Sequence, residues 1–359
     1  MRLLRDSVVV TSVWNEGPFL LEWLAWYRML GFESFLVVHN DCTDHSPQML
    51  RVLEKADILV QKKNEVDPNR PPQPQNHAVA TNHRLVKNAK WLWSSDIDEY
   101  LVIHVGDGSA AALAEEIDGK GYGMAINWRI FGSSGHEHWE DTFIRHRFRK
   151  SALEGSRSGK CYKTFYKNPV EFGRIRSHGP RGWRGDKPWG EEDRVFLLAD
   201  GSRFPDYHPV ENKINGTPHD RVTNKMAQVN HYALQSHEQF EYKRGRLGAA
   251  AHLDRYTDQF FKDFDKNRMR NTSALRHEDA FRKHYDQLVA IPGILRLHHL
   301  CCADFLKFMA DKQGDDVRND SRYRYHLRMA ARLPHHDPEE EARRNVWWRK
   351  LWRALRRPT

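Results

Sequence analysis

The first hundred residues alternate short apolar runs of strand and helix period, and this alternation narrows the fold more than any other feature. Residues 7–13 are a β-branched run with the character of a buried strand. Gly17-Pro18 then opens a helical stretch, with Pro where a first turn tolerates it, and Gly31 closes it at a position suited to a left-handed cap. Between them Leu20, Leu21, Leu24, Tyr27 and Leu30 recur at helical spacing. Residues 35–39 read as a second strand, Ser46-Pro47 starts a second helix reaching Lys55, and residues 58–60 read as a third strand. Four prolines mark residues 67–75 as a loop. A helix over 77–88 and a fourth strand over 91–95 follow, the strand ending in Asp96-Ile97-Asp98-Glu99. Strand–helix–strand units of this length imply parallel strands joined by right-handed crossovers. The expected class is therefore α/β, a Rossmann-like, doubly wound and mostly parallel sheet.

Further along, residues 121–231 turn rich in Gly, Arg, Trp and His, with strand candidates at 122–127 and 195–198. They read as the second half of the same sheet carrying long functional loops. Residues 236–333 are helical and charged. The expected division is a catalytic sheet domain over 1–235, a helical region over 236–333, and a basic amphipathic C-terminal helix over 337–358.

Composition removes several function classes. The 359 residues include 12 Trp, 17 Phe and 12 Tyr, enough bulk for a packed core, so global disorder is excluded. No apolar run approaches the roughly 20 residues of a spanning helix, and the apolar run before Val13 is too short for a signal peptide. The cysteines Cys42, Cys161, Cys301 and Cys302 show no C-x-x-C spacing, which argues against a disulfide scaffold or a Cys-rich zinc site and makes the cytoplasm the default compartment. Of the net charge of +9, the stretch from Glu339 onward holds +4, with seven Arg/Lys against three Glu. The remaining +5 is unremarkable, and no nucleic-acid partner is expected. In that tail Trp348, Leu351, Trp352 and Leu355 fall at i, i+3, i+4 and i+7 among basic residues. Such a stripe suits an anionic membrane surface, which would make the protein peripheral at the inner face; it equally suits packing against protein.

The chemistry concentrates at strand ends. Residues i and i+2 of a strand share a face, so Asp96 and Asp98 are expected to converge, and two like charges there call for a cation. Oxygen donors suit Mg²⁺ or Mn²⁺, which bind one or two carboxylates plus substrate phosphates. The turns at 13–17 and 40–44 offer Asn and Asp side chains to a base and ribose beside helix N-termini that favour phosphate, unless they are ordinary Asx turns.

As an ordered set these segments resemble a known family. Trp14-Asn15-Glu16-Gly17-Pro18, then Asn40-Asp41-Cys42-Thr43-Asp44, then Asp96-Ile97-Asp98-Glu99, are similar to the family 2 glycosyltransferases and the related glycosyltransferase family 92. Asn127-Trp128, Phe131-Gly132-Ser133-Ser134-Gly135, Asn230-His231-Tyr232 and Lys243-Arg244-Gly245 extend the resemblance over residues 7–246. It implies a GT-A fold that uses a nucleotide-diphosphate sugar, a UDP-sugar by expectation, with Mn²⁺ or Mg²⁺ and a glycan or lipid-linked acceptor. Carried over position by position, Asn15, Glu16 and Asp44 would contact base and ribose. Asp96 would hold the ribose or a metal-bound water, Asp98 would ligate the metal, and His231 would be a third ligand. Trp14 departs from the pattern, standing where a basic residue is common.

Lys160, Arg174, Arg176 and His178 lie in a segment similar to the family's cationic one and would stabilise the departing diphosphate. The acceptor needs a general base, for which Glu137, Glu140 and Asp141 are the candidates. His136 and His138 could alternatively pair as metal ligands. The likeness to family 2 implies inversion at the anomeric carbon. Two other classes stay open: a divalent-metal phosphohydrolase or nucleotidyltransferase, and a non-catalytic module for anionic surfaces.

Overall fold

The computed structural model describes residues 1–210 and 216–334. The C-terminal helix expected over 337–358 lies outside the described residues. The chain opens β1 (Leu4–Val13), α1 (Gly17–Met29), β2 (Phe32–His39), α2 (Ser46–Lys55), β3 (Val60–Lys63). It continues α3 (Pro72–Asn82), α4 (Arg84–Lys87), β4 (Trp91–Ser94), β5 (Glu99–Ile103), α5 (Ala110–Ile117) and β6 (Gly123–Ile130). The middle holds α6 (Ile144–Arg147), β7 (Lys150–Ser151), β8 (Tyr162–Lys167), β9 (Phe172–Arg174), β10 (Arg181–Trp183), β11 (Phe196–Leu198) and β12 (Ala227–His231). After it come α7 (His237–Lys243), α8 (Asp258–Phe264), β13 (Met269–Arg270), α9 (Glu278–Val289), α10 (Ile294–Gln313) and α11 (Ser321–Arg332).

One nine-stranded sheet runs β3-β2-β1-β4-β8-β6-β12-β5, with β11 beside β6. Strands β3, β2, β1 and β4 are mutually parallel, and β8 runs antiparallel between β4 and β6. The order reverses between β1 and β4, because the chain winds outward from β1 through β2 and β3 before returning on β1's other side. Open α/β sheets bind ligands in the crevice at that switch point, outside the carboxyl ends of the strands.

Burial explains the apolar runs. Along β1, Val9 and Val13 face one core while Val8 and Val10 face another, so both faces of the strand are covered. Trp23, Trp26 and Tyr27 of α1 fill the first core, which Phe281, Leu288 and Leu297 of the C-terminal helices share. A buried ion pair ties the middle segment to it: Arg145 Nε donates to Glu22 Oε1 at 3.0 Å, with its guanidinium 3.7 Å from the Phe281 ring centre. Among the described residues no single helix is long and apolar enough to cross a membrane.

Several details differ from the sequence expectation. The third strand occupies Val60–Lys63 in place of 58–60. The expected loop over 67–75 gives way at Pro72, where α3 begins. Its prolines sit in the first turn, whose N–H groups have no helical partner to lose. The expected helix over 77–88 breaks at His83, whose ψ of 142° is extended and whose side chain accepts from Leu85 N to start α4.

Candidate active site

A cavity of about 260 Å³ opens at the switch point. Ser12, Asn15 and Glu16 contribute from β1's end, Asp96 and Asp98 from the connection after β4, and Gln73 from α3. The far wall is Lys163 of β8, Trp128 of β6, His231 of β12, and Tyr242, Lys243, Arg246 and Arg255 beyond it.

The acidic pair does not sit on a strand. β4 ends at Ser94, and Asp96 to Glu99 form a turn closed by Glu99 N donating to Asp96 O at 3.2 Å. Asp96 N also donates to Glu99 Oε2 at 2.9 Å. Convergence therefore comes from a turn between β4 and β5, a correction to the strand-pleat argument. Lys163 is the keystone. Its side chain is 2% exposed, with Nζ 3.0 Å from Asp96 Oδ2 and 2.9 Å from Glu99 Oε2. Gln73 Nε2 donates to the other Asp96 oxygen at 2.6 Å. Burial would raise the Asp96 pKa, yet the Lys163 ammonium holds it down to about 2. Glu99, wholly buried, is pushed up by burial to about 8 despite the same cation.

Asp98 is less engaged. Its oxygens stand 3.7 Å from His231 Nε2 and 3.9 Å from Lys243 Nζ, too far for hydrogen bonds. His231 arrives there by register: β12 pairs antiparallel with β5, placing His231 opposite Glu99 and beside Asp98. The Tyr232 N–H donates to Asp98 O at 2.9 Å and locks the approach. The imidazole ring centre lies 4.2 Å from that of Trp128, burial lowers its pKa to about 4, and its Nδ1 has no hydrogen-bond partner among the described residues. A neutral imidazole nitrogen facing a loosely held carboxylate is a donor set that fits a divalent cation.

The turns of β1 and β2 are one unit. Asn15 has φ 54°, a left-handed conformation that Asn tolerates. Its Oδ1 accepts from Thr43 N at 2.8 Å and Asp44 N at 3.3 Å, and its Nδ2 donates to Thr43 Oγ1 at 3.0 Å. Asp44 in turn accepts from Ser46 N at 3.0 Å and Ser46 Oγ at 2.7 Å, fixing the start of α2; it does not line the cavity. Glu16 does line it, and burial, aided by the charges of Asp98 and Asp96, pushes its carboxyl up to about 8.

Other sequence candidates scatter. His178 lines the cavity and is held to about 4 by burial, its Nδ1 2.9 Å from Tyr162 O. Lys160, Arg174 and Arg176 are exposed and off the cavity wall. Glu137, Glu140 and Asp141 do not line it either. Glu140 faces Arg147 at 3.4 Å, and Asp141 faces His298 at 2.9 Å. His136 bonds to Arg147 O while His138 points to Glu238 at 4.0 Å, so the two histidines do not pair. The cations the cavity does gather are Lys163, Lys243, Arg246 and Arg255, with Arg246 stacked 3.3 Å from the Tyr242 ring centre. Two had a visible signal: Lys163 lies in the cationic segment and Lys243 in Lys243-Arg244-Gly245. Gln73 had none, being hidden among prolines.

A family model described as glycosyltransferase family 92 matches residues 7–287. A glycosyltransferase family 92 protein of Arabidopsis thaliana is 24% identical over 98 residues, which is 26% of this chain and 16% of that protein. Among solved structures, S. aureus TarS 1-349 in complex with UDP-GlcNAc aligns at 12% identity and a TM-score of 0.32, over 89% of this chain and 90% of that one. Core-mannan synthase A from Aspergillus fumigatus, in its Mn/GDP form, aligns at 11% identity and a TM-score of 0.24, over 37% of this chain and 45% of that one.

Proposed function

The chain belongs to glycosyltransferase family 92, and from that premise we propose that it moves a sugar from a nucleotide-diphosphate sugar to a glycan or lipid-linked acceptor in a metal-dependent, inverting reaction. The observation that carries this reading is the pairing, in one cavity, of the Asp98–His231 donor set with four cationic side chains around it. Asp98 and His231 would hold Mn²⁺ or Mg²⁺, which supplies Lewis-acid neutralisation of the diphosphate.

The chain's own residues do the rest. Lys243, Arg246 and Arg255 offer fixed positive charge to phosphate oxygens as the glycosidic bond breaks. Lys163 keeps Asp96 ionised and oriented, so that its carboxylate can take a ribose hydroxyl or a water. The Asn15 clamp holds the first two turns at the spacing a nucleoside would meet. Ser12, Trp14 and Glu16 line the same end of the cavity.

The experiment is a panel of nucleotide-sugars assayed for binding and turnover with and without Mn²⁺. Turnover of at least one donor, stimulated by Mn²⁺ and abolished by EDTA, is the expected result. Full turnover in excess EDTA would overturn the metal dependence. Release of phosphate or pyrophosphate in place of a nucleoside diphosphate would shift the reading to a phosphohydrolase or nucleotidyltransferase.

A further inference from the structure

Away from the cavity, the loop after Gly135 meets α10 and α11 at a cluster the transfer reaction does not use. His298 and Cys302 sit at i and i+4 on α10, hence on one face, while His326 comes from α11 and Asp141 from the loop. Ligand atoms of Asp141, Cys302 and His326 all lie within 4.8 Å of one another. His298 Nε2 lies beside them, 2.9 and 3.1 Å from the two Asp141 oxygens and 3.5 Å from Cys302 Sγ, though outside that mutually close set of three. Asp141 Oδ2 stands 4.0 Å from His326 Nδ1. Cys302, His326 and His298 are 0%, 2% and 5% exposed, and Asp141 forms the rim.

We propose that Asp141, His298, Cys302 and His326 form a tetrahedral structural zinc site that fastens the loop to the α10–α11 pair. Bonds of 2.0–2.3 Å to zinc put tetrahedral ligands about 3.3–3.8 Å apart. The Asp141–His298, Cys302–His298 and Asp141–His326 separations of 2.9, 3.5 and 4.0 Å bracket that range, and His298 and His326 would draw together on the metal. One thiolate, one carboxylate and two imidazoles make a mixed sulfur, nitrogen and oxygen set that zinc takes readily. The two negative ligands balance the dication in a largely buried place. A Cys-His-Asp nucleophile is the competing arrangement, and the geometry speaks against it. Such a triad places thiol and carboxylate on opposite ring nitrogens. Here both face His298 Nε2, while His298 Nδ1 has no hydrogen-bond partner among the described residues. The thiol is also sealed from substrate. His326 Nδ1 further faces His299 Nδ1 at 2.9 Å, a contact that metal on His326 would replace.

The test uses the full chain purified without chelator. Elemental analysis is expected to find about one zinc per chain. Exchange for Co²⁺ is expected to give the intense visible bands of tetrahedral cobalt together with a sulfur-to-cobalt charge-transfer band. Cys302→Ser should lose the charge-transfer band, and His326→Ala should lose bound zinc. Cys301→Ala, at the neighbouring buried cysteine outside the cluster, should keep both signals, and Asp98→Asn should keep the zinc. Should a cluster variant fail to fold, the parent chain's cobalt spectrum still decides. Absence of both zinc and the charge-transfer band in the parent chain would overturn the site, leaving a His298–Asp141 ion pair beside a thiol. Survival of that band in Cys302→Ser would overturn it as well.

Discussion

Two side chains at the cavity carry opposite expectations. Asp98 has no hydrogen bond to Lys243 or His231, so its carboxylate contributes little to folding and is available to a ligand. Asp98→Asn should therefore abolish metal-stimulated donor turnover with an unchanged melting temperature; full activity in this variant would remove Asp98 from the site. Lys163 is the reverse case, since from a buried position it neutralises the Asp96 carboxylate and also meets Glu99. Removing one partner of a buried ion pair strands the other charge, so Lys163→Met should cost about 3–5 kcal/mol, read by denaturant unfolding. A loss within error would mean that Asp96 and Glu99 find other partners. Glu137 and Glu140 lie off the cavity wall, and Glu137→Gln and Glu140→Gln are expected to transfer sugar at the parent rate. Were either the acceptor's base, its amide variant would lose roughly 10²–10⁴-fold in transfer rate.

Among the elements, the paired turns after β1 and β2 hold the site's geometry. Three hydrogen bonds from one Asn15 side chain join them, and Asp44 passes the constraint into α2. Asn15→Ala should destabilise the fold by about 1–3 kcal/mol, because the buried N–H of Asp44 and the half-buried N–H of Thr43 lose their acceptor. It should also raise the KM for the donor more than it lowers kcat, since the turns would meet the nucleoside and not the reacting bond. Equal losses in both constants would assign Asn15 a part in the chemical step. The α3 helix belongs to the same unit: Asn76 Nδ2 donates to Ser12 Oγ at 2.6 Å and to Asn40 Oδ1 at 2.8 Å, linking α3 to the ends of β1 and β2.

Across the whole molecule, buried histidines tie stability to pH. Burial holds His77, His178 and His231 to about 4, against an ordinary value near 6.5 in the unfolded chain. As pH falls from about 6.5 toward 4, the unfolded chain takes up protons that the folded chain refuses, so stability drops by about 1.4 kcal/mol per pH unit for each histidine. Glu16 and Glu99, whose buried carboxyls are pushed up to about 8, act in the opposite sense over this window, so the test is the difference between chains: in EDTA, the melting temperature of His77→Asn should fall less than the parent's between about pH 6.5 and 4. Parallel pH profiles for the parent and His77→Asn would show that the His77 ring is solvated. The tail beyond Leu333 carries its own expectation. The full chain should sediment with anionic liposomes in low salt, and a chain ending at Leu333 should not. Equal partitioning of the two would assign the tail's apolar stripe to protein packing.

What the sequence determined by itself is local and periodic. Alternating runs specified β1, α1, β2, α2 and β4, since burial of one stripe or one pleat leaves its period in the chain. The ordered motifs at 14–18, 40–44 and 96–99 pointed to the carboxyl edge of the sheet, because strand ends in a doubly wound sheet fall together whatever the loops between them. Tertiary structure decided the rest. The Asn230-His231-Tyr232 likeness pointed to His231 as a ligand, but that it meets Asp98 follows from the antiparallel register of β12 on β5, a pairing across more than 120 residues that no periodicity records. That Lys163, and not Lys160, faces the acidic turn depends on how β8 inserts between β4 and β6. That Asp141 turns toward His298 and Cys302 depends on where α10 packs. Periodicity records which face of an element is buried; only packing fixes which distant side chains share that burial, and a site is made of such neighbours.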